Sequence, residues 1–500
     1  MTTTRTTTTS TERWVLILSS IASLMVALDV LVVSTALGAI RQHLGASLND
    51  LEWTVNAYAL SFAVLLIGAA SLGDRFGRRR LFAAGLGLFA LGSVACALAP
   101  NAGLLIAARA AQGAAAALVA PLSLSLLGAS FGPARRGWAL GVYGGITGLA
   151  VLGGPVVGGA VTQGLAWQWV FWINVPIGLV AIPLVLTRIP ESYGPRARVD
   201  VPGLLLVSGA ALGIVWGLMR GNDAGWGSLE VVGALAAGAL ALIAFLLWEA
   251  RTREPMLPLR LFSARGFSLG SASNFLLSAC LFSAVFFMAQ FQQISLHQGP
   301  LDSGLRLLPW TATLFIVAPI AGSLVARIGE RVLVVSGLLL QAAGMAWIAL
   351  VATPGMAYIE LVAPLAIAGA GISMAIPAVQ NAVMNAVGPG DLGQASGVSM
   401  MTRQLGGVFG VAIGVAVFSG AGSYASASAF GDGFGPALAV AAAFSLLGAA
   451  CATGLPRLAD TAVRSSTSGA MRTPGSGASR APASGTTAAV GAAVTESTTA

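Results

Sequence analysis

Lysine is missing from this chain: all 26 basic residues are arginine, and charged residues of every kind make up only 9% of 500. A water-soluble domain carries roughly a quarter of its residues as charges, so the composition excludes an ordinary soluble globule. The missing lysine also excludes a Gly-Lys-Ser/Thr phosphate loop, and work done by this chain alone therefore draws on an ion gradient or runs downhill. Histidine occurs twice (His43 and His297), and neither joins a Cys or carboxylate cluster with ligand or catalytic spacing. Cys96, Cys280 and Cys451 all lie in apolar segments, which fits core-like thiols and neither a disulfide scaffold nor a zinc site. Nothing here points to an enzyme, a cofactor, a metal or a nucleotide. A nucleic-acid role for the sequence pI of about 10.4 fails on distribution, because the arginines sit mostly in every second loop.

What is abundant is apolar length. Hydrophobic residues are 56% of the chain, mean hydropathy is +0.85, and the runs are long enough, at about 1.5 Å per residue, to cross a hydrocarbon core of about 30 Å. The pattern predicts an all-α polytopic membrane protein with fourteen spans at 14–37, 53–72, 81–99, 104–128, 138–162, 169–187, 201–219, 229–248, 267–289, 305–326, 332–352, 358–380, 403–421 and 435–454. The first run carries Asp29 and lacks a clear cleavage site, so it reads as a membrane helix and not a removed signal peptide. With this count 21 of the 26 arginines fall on one side, while Arg41, Arg220 and Arg306 fall on the other and Arg109 and Arg403 lie within or at the mouth of spans. Positive residues favour the cytoplasmic side, which places both termini inside a cytoplasmic membrane.

Two charged turns occupy matching places: Ala70-Ser-Leu-Gly-Asp74-Arg75-Phe-Gly77-Arg78-Arg79-Arg80 and, 252 residues on, Gly322-Ser-Leu-Val-Ala326-Arg327-Ile-Gly329-Glu330-Arg331. Gly113 precedes Pro121 by eight residues, as Gly369 precedes Pro377, and each proline precedes a glycine (Gly141, Gly397) by 20. Two six-helix halves separated by an extra helix pair explain these offsets, and repeat-built bundles of this kind support alternating access around a central cavity. The expected organisation is a flexible N-terminus at 1–13, an N-terminal bundle at 14–187, a linker with two extra helices at 188–266, a C-terminal bundle at 267–454 and a disordered Ser/Thr/Ala/Gly/Pro-rich tail at 455–500.

These motifs together resemble the major facilitator superfamily, specifically its 14-span drug:proton antiporter branch, over about residues 12–455. The turn at 72–80, the segment Arg109-Ala-Ala-Gln112-Gly113, the glycine/proline line of the fifth span and Leu28-Asp29 in the first carry the resemblance. Departures are Ala70 where the family's loop motif opens with Gly, and Leu31, Ser34 and Gly38 where its first-span motif has Thr, Asn and Pro. The resemblance implies a multidrug or antibiotic exporter coupled to protons; a monomer containing both halves would be complete.

Asp29 and Arg109 fall at similar depths, and a charge in lipid normally faces a partner or a wet path, so the pair is the candidate for proton coupling. A fixed structural salt bridge would place them the same way. Asp74, Arg75, Gly77, Arg78 and Arg79 are the candidate gate, with Asp74 expected near a neighbouring helix end; anchoring by positive charge is the alternative. Gly154 and Gly158 permit close helix approach and Pro155 a bend, for which plain packing is a sufficient account; with Gly159 in the same line, the resemblance implies a close, pliable contact with a helix of the other half. Asn274, Phe287, Gln290, Phe291 and Gln293 combine amide and aromatic surface suited to amphipathic or cationic compounds. Gln380, Asn381, Asn385 and Gln404 read as polar caps at helix ends. A dedicated exporter of one endogenous metabolite and a proton-coupled importer are the other transport readings.

Overall fold

The computed structural model describes residues 10–456 apart from 195–199, 254 and 389–390. The expected tail from 457 and most of the flexible N-terminus lie outside the described residues, as do Arg196 and Arg198. The N-terminal set of helices is α1 (Ser10–Leu44), α2 (Leu48–Phe76), α3 (Arg78–Ala97), α4 (Ala102–Ser130), α5 (Pro133–Gly164) and a sixth span broken into α6 (Trp169–Trp172) and α7 (Asn174–Arg188). The extra pair is α8 (Val201–Ala224) and α9 (Leu229–Arg251). The second set is α10 (Arg265–Ile294), a span broken into α11 (Pro300–Arg306), α12 (Leu308–Thr311) and α13 (Thr313–Ile328), then α14 (Glu330–Val351), α15 (Ile359–Asn385), α16 (Leu392–Ala421) and α17 (Ala427–Ala452). Among the described residues, 13 helices are long and apolar enough to cross a membrane, or 14 if Leu48–Leu66 and Gly68–Phe76, bent by 53°, form one span. The fold is that of two six-helix repeats with two extra central helices.

Local chemistry sets the helix ends. Ser47 caps α2 in a capping box with Asp50, and Asn101, Ser228 and Ser426 cap α4, α9 and α17 by accepting from backbone N–H groups. Gly77 and Gly329 each end one helix and begin the next with φ 109° and 85°, a left-handed backbone that a Cβ strains. The two charged turns thus share a backbone geometry as well as a sequence pattern. Prolines persist inside α4, α5, α7, α13, α15 and α17 because neighbouring helices can satisfy the carbonyls they free.

The helix order gives the bundle two ends. The terminus end holds the starts of α1 and α10, both charged turns and the end of α17; the opposite end holds the loops after α1 and α10. Apolar packing differs between them. Around the opposite end one core joins both halves, with Val32, Leu37 and Phe171 in the same cluster as Phe286, Phe287, Phe291 and Phe434. Toward the terminus end the packing divides into two cores, one of the first half around Val15, Phe82 and Phe131 and one around Phe267, Val334 and Val383 that also takes in Ala59, Leu60 and Val64 of α2. The extra pair docks through α8, where Trp53 meets Trp216 (ring centroids 5.6 Å apart) and Met219 joins the second of these cores. The outer helix α9 leaves Leu240, Ile243 and Leu247 exposed, as a lipid-facing helix does.

A buried charge network beside a central cavity

Asp29 lies in mid-α1 and is 2% exposed; Arg109, from the second turn of α4, is 1% exposed. The two form an ion pair between Arg109 Nη1 and Asp29 Oδ2. Around it the polar groups are nearly all committed. Gln112 Nε2 and Asn174 Nδ2 each donate to Asp29 Oδ1 at 2.9 Å, Arg109 Nη1 also donates to Gln112 Oε1 (2.7 Å), and Arg109 Nε donates to the Thr54 carbonyl (3.1 Å). Ser93 Oγ accepts from both amides, at 2.8 Å from Gln112 and 3.2 Å from Asn174. The Tyr58 ring lies 4.2 Å from the guanidinium carbon, adding cation–π contact. Depth along the sequence anticipates the pair, and Gln112 belongs to the quoted motif. Ser93, Thr54 and Asn174 were missed: they come from three further helices, and only Asn174, a polar residue in the broken sixth span, leaves any trace in the sequence.

The network does not face the cavity. Between the halves lies a cavity of about 270 Å³ lined by α1, α2, α4 and α5 on one side and by α10, α12, α13, α15 and α16 on the other. α1 presents Ser23, Val26, Ala27, Val30 and Leu31 to it, and Asp29 is on the other face of that helix. Of the five residues expected to contact substrate, Asn274 lines the cavity. Phe287, Gln290, Phe291 and Gln293 do not, because they lie farther along α10, where the halves are packed shut. There Phe291 stacks on Phe434 (centroids 4.2 Å), Phe287 stacks on Phe418 (5.3 Å), Tyr424 donates to Gln290 Oε1, and Gln293 Nε2 donates to the Thr35 carbonyl at 2.9 Å. Burial pushes the Tyr424 hydroxyl above its usual range, against the opposing pull of Arg41, whose guanidinium is 4.6 Å from the ring centroid. Of these four, Gln293 reaches across to the first half, while the other three pack within the second half, Phe287 and Phe291 in the apolar core that joins both. Conversely, Gln380 and Gln404, expected as caps at helix ends, line the cavity. The reason is helix length: α16 starts at Leu392, eleven residues before the expected 403, so Gln404 and Arg403 lie well inside a helix.

The glycine line of α5 divides its work. Gly154 and Gly158 lie against Leu31 and Val32 of α1 in the same half; a Cβ at Gly154 would fall 2.6 Å from Leu31 Cβ. Gly159 meets the other half, where a Cβ would fall 2.7 Å from Leu301 Cα, and Gly304 of α11 packs on the Pro155 backbone. Gln163 Oε1 accepts from the Leu301 N–H at 3.1 Å in the same seam. Pro155 also lines the cavity.

The charged turn is held within its own half. Asp74, near the end of α2, pairs at 2.7 Å with Arg78, the first residue of α3, across the Gly77 turn. Arg79 N–H donates to Glu191 Oε1 (2.9 Å), Arg78 N–H donates to the Ser192 carbonyl (2.9 Å), and Arg79 Nη1 reaches the Leu186 and Ile189 carbonyls at 3.3 Å. Arg75 lies over the Phe76 ring, 5.3 Å from its centroid. Glu191, absent from the sequence reading, is the anchor of this turn.

A paired buried charge network beside a cavity closed at one end, in two matching half-bundles, is a transport architecture. Residues 19–411 match the model of the Major Facilitator Superfamily. The chain belongs to the major facilitator superfamily. This transporter, not an enzyme, is 35% identical over 398 residues to the tetracenomycin C resistance and export protein of Streptomyces glaucescens, covering 79% of this chain and 73% of that one. It is 35% identical over 466 residues to the cephamycin export protein CmcT of Amycolatopsis lactamdurans, covering 91% and 95%. Among solved structures, a D-xylose–proton symporter superposes with a TM-score of 0.64 at 17% identity, over 89% of this chain and 98% of the other, which bears on the fold alone.

Proposed function

We propose that this transporter is a proton-coupled antiporter exporting small amphipathic compounds from the cytoplasm, with both termini cytoplasmic. Among the described arginines, fourteen lie at the terminus end and Arg41, Arg220 and Arg306 at the other, which favours a cytoplasmic terminus end. On that reading the sealed opposite end makes this an inward-facing arrangement. The names of the two relatives above support export.

The observation that carries the coupling is the Asp29 network. A carboxylate taken out of water is tolerated there because Arg109, Gln112 and Asn174 all donate to it. Protonating Asp29 removes the negative charge and leaves Arg109 buried without its counter-ion, a loss of several kcal/mol that the bundle relieves by shifting α1 against α4 and α7. Because α1 shows its other face to the cavity and packs on the α5 glycines, such a shift reaches both the cavity wall and the seam at Gly159. Proton and substrate then compete through the position of α1, not for one carboxylate. Protonation from outside favours return to the inward-facing state, and deprotonation with substrate bound drives the outward step. The turn around Asp74 and Glu191 acts as the latch re-made at each cycle, on the supporting ground that its ion pairs are satisfied locally while the terminus end is open.

The test is uptake or efflux of fluorescent amphiphiles by proteoliposomes under an imposed pH gradient. Wild type should move them against their gradient. Asp29→Asn should keep substrate binding but lose gradient-driven accumulation at least tenfold. Accumulation unchanged in Asp29→Asn would rule out this coupling site, and flux only in the opposite sense would make the protein an importer.

A further inference from the structure

Every charged residue that the mechanism uses lies outside the cavity, yet the cavity contains one charge. Arg403 of α16 is the sole ionisable residue, apart from Tyr143, among the described side chains lining it. Protein surrounds it, but its side chain is accessible because what it touches is the cavity itself. No carboxylate among the described residues forms an ion pair with it, whereas Asp29, Asp74, Glu191 and Asp391 are all paired with other arginines. Exposed to the cavity and without a carboxylate partner there, its guanidinium can offer its donors to an anion that enters.

We infer that Arg403 is the binding group for an anionic substituent on the transported compound, so the preferred substrates are amphipathic weak acids and not cationic dyes. This rests on the transport reading and names its substrate class. Among the neighbouring polar groups, Gln380 favours the same ligand. Gln380 Oε1 already accepts from Ser399 Oγ at 3.0 Å, while its two N–H donors have no hydrogen bond to another described residue and can be offered to the cavity. Asn274 spends its amide N–H on Ser399, at 2.9 Å to the carbonyl, and Tyr143 shares a hydrogen bond with Ser23 (2.7 Å) on the facing wall. The rest of the wall, including Phe62, Phe282 and Trp310, suits a ring system. An arginine offers a carboxylate two parallel charge-assisted hydrogen bonds, whereas an ammonium group would bring a second positive charge into the same enclosed space. Exchange of one proton inward for one anion outward also moves two charges in the same sense, so a potential negative on the cytoplasmic side should accelerate export.

Three probes on one scaffold test this: 2-naphthylacetate, 2-naphthylacetamide and 2-(2-naphthyl)ethylamine, titrated calorimetrically against the purified full-length protein at pH 7. The acid should bind at least tenfold more tightly than the amide or the amine. Arg403→Gln should bring the acid-to-amide affinity ratio close to one, and Arg403→Lys, which keeps the charge without the planar fork, should give an intermediate ratio and decides the matter if the glutamine variant does not fold. An amine bound as well as the acid, an acid preference unchanged in both variants, or no binding of any probe would overturn the inference. Acid preference without gradient-driven flux in proteoliposomes would leave it standing and sink proton antiport; gradient-driven flux confined to the amine would do the reverse.

Discussion

The two halves of this transporter share a frame and differ in chemistry. Gly113 packs on the Tyr58 carbonyl and Gly369 on the Trp310 carbonyl; in each case a Cβ would fall 2.9 Å from the carbonyl carbon, and the partners are 252 residues apart. Gly92 abuts Gln112 as Gly344 abuts Ala368, and Gly85 meets Val119 as Gly337 meets Ala375. The cavity-lining positions Ser23, Val26, Ala27, Val30 and Leu31 recur, 251 residues on, as Asn274, Leu277, Ser278, Leu281 and Phe282. On those correspondences the charged network has no copy. Asp29 matches the fully buried Cys280, Arg109 matches Leu365 and Gln112 matches Ala368. Close backbone contact is what a repeat must keep to hold helices at one spacing; which half carries charge is free to vary. The N-terminal half is therefore the proposed proton-responsive half, and the C-terminal half supplies the cavity's cation.

The largest effect should come from giving the first half the second half's residues one at a time. Arg109→Leu leaves Asp29 as an unpaired buried charge and should cost about 3–5 kcal/mol, read as a loss of folded protein in thermal melts. The triple change Asp29→Cys, Arg109→Leu, Gln112→Ala removes both charges together; it should melt well above the single mutant while showing no gradient-driven transport. If the triple mutant is no more stable than the single one, the network is not a self-contained charge cluster and the comparison fails.

Next in size are the shared contacts. Gly113→Ala and Gly369→Ala each force a Cβ onto a backbone carbonyl and should destabilise by about 1–3 kcal/mol and by similar amounts. A large difference in melting temperature between them would show that the two halves do not bear on this frame equally. The turns should then separate. Gly77→Ala and Gly329→Ala both strain a left-handed backbone, at about 1–2 kcal/mol, but a Cβ at Gly77 would also fall 2.8 Å from the Glu191 carboxyl carbon, so Gly77→Ala should melt lower. Smallest is a pair with its signs exchanged: Glu12 meets Arg135 in the first half (3.2 Å), and Arg260 meets Asp391 in the second (2.6 Å). Arg260 is solvent-exposed, so Arg260→Ala should leave melting almost unchanged and transport within about twofold; a large loss of flux would give that surface pair a role in the cycle.

The turn glycines and the approach of Asp29 to Arg109 were legible in the sequence, because each depends on residues near in the chain or on depth counted along a single helix. The remaining members of the network were not. Ser93, Thr54 and Asn174 are ordinary polar residues until three helices bring the Asn174 amide to the carboxylate, the Ser93 hydroxyl to the two amides and the Thr54 carbonyl to Arg109. The faces of α10 were misjudged for a related reason. Amides and phenylalanines alternate along it, and nothing local tells which stretch faces the cavity and which is shut against α16 and α17.

Composition and apolar length by themselves determined that this chain crosses a membrane as a duplicated helical bundle, because a long run of apolar residues has few other stable placements and arginine is costly to carry across lipid. The tertiary structure alone decided that Asp29 is hidden from the cavity and that Arg403 is in it. Both are questions of helix rotation and of where α16 begins, and rotation is set by small-residue contacts between helices far apart in sequence.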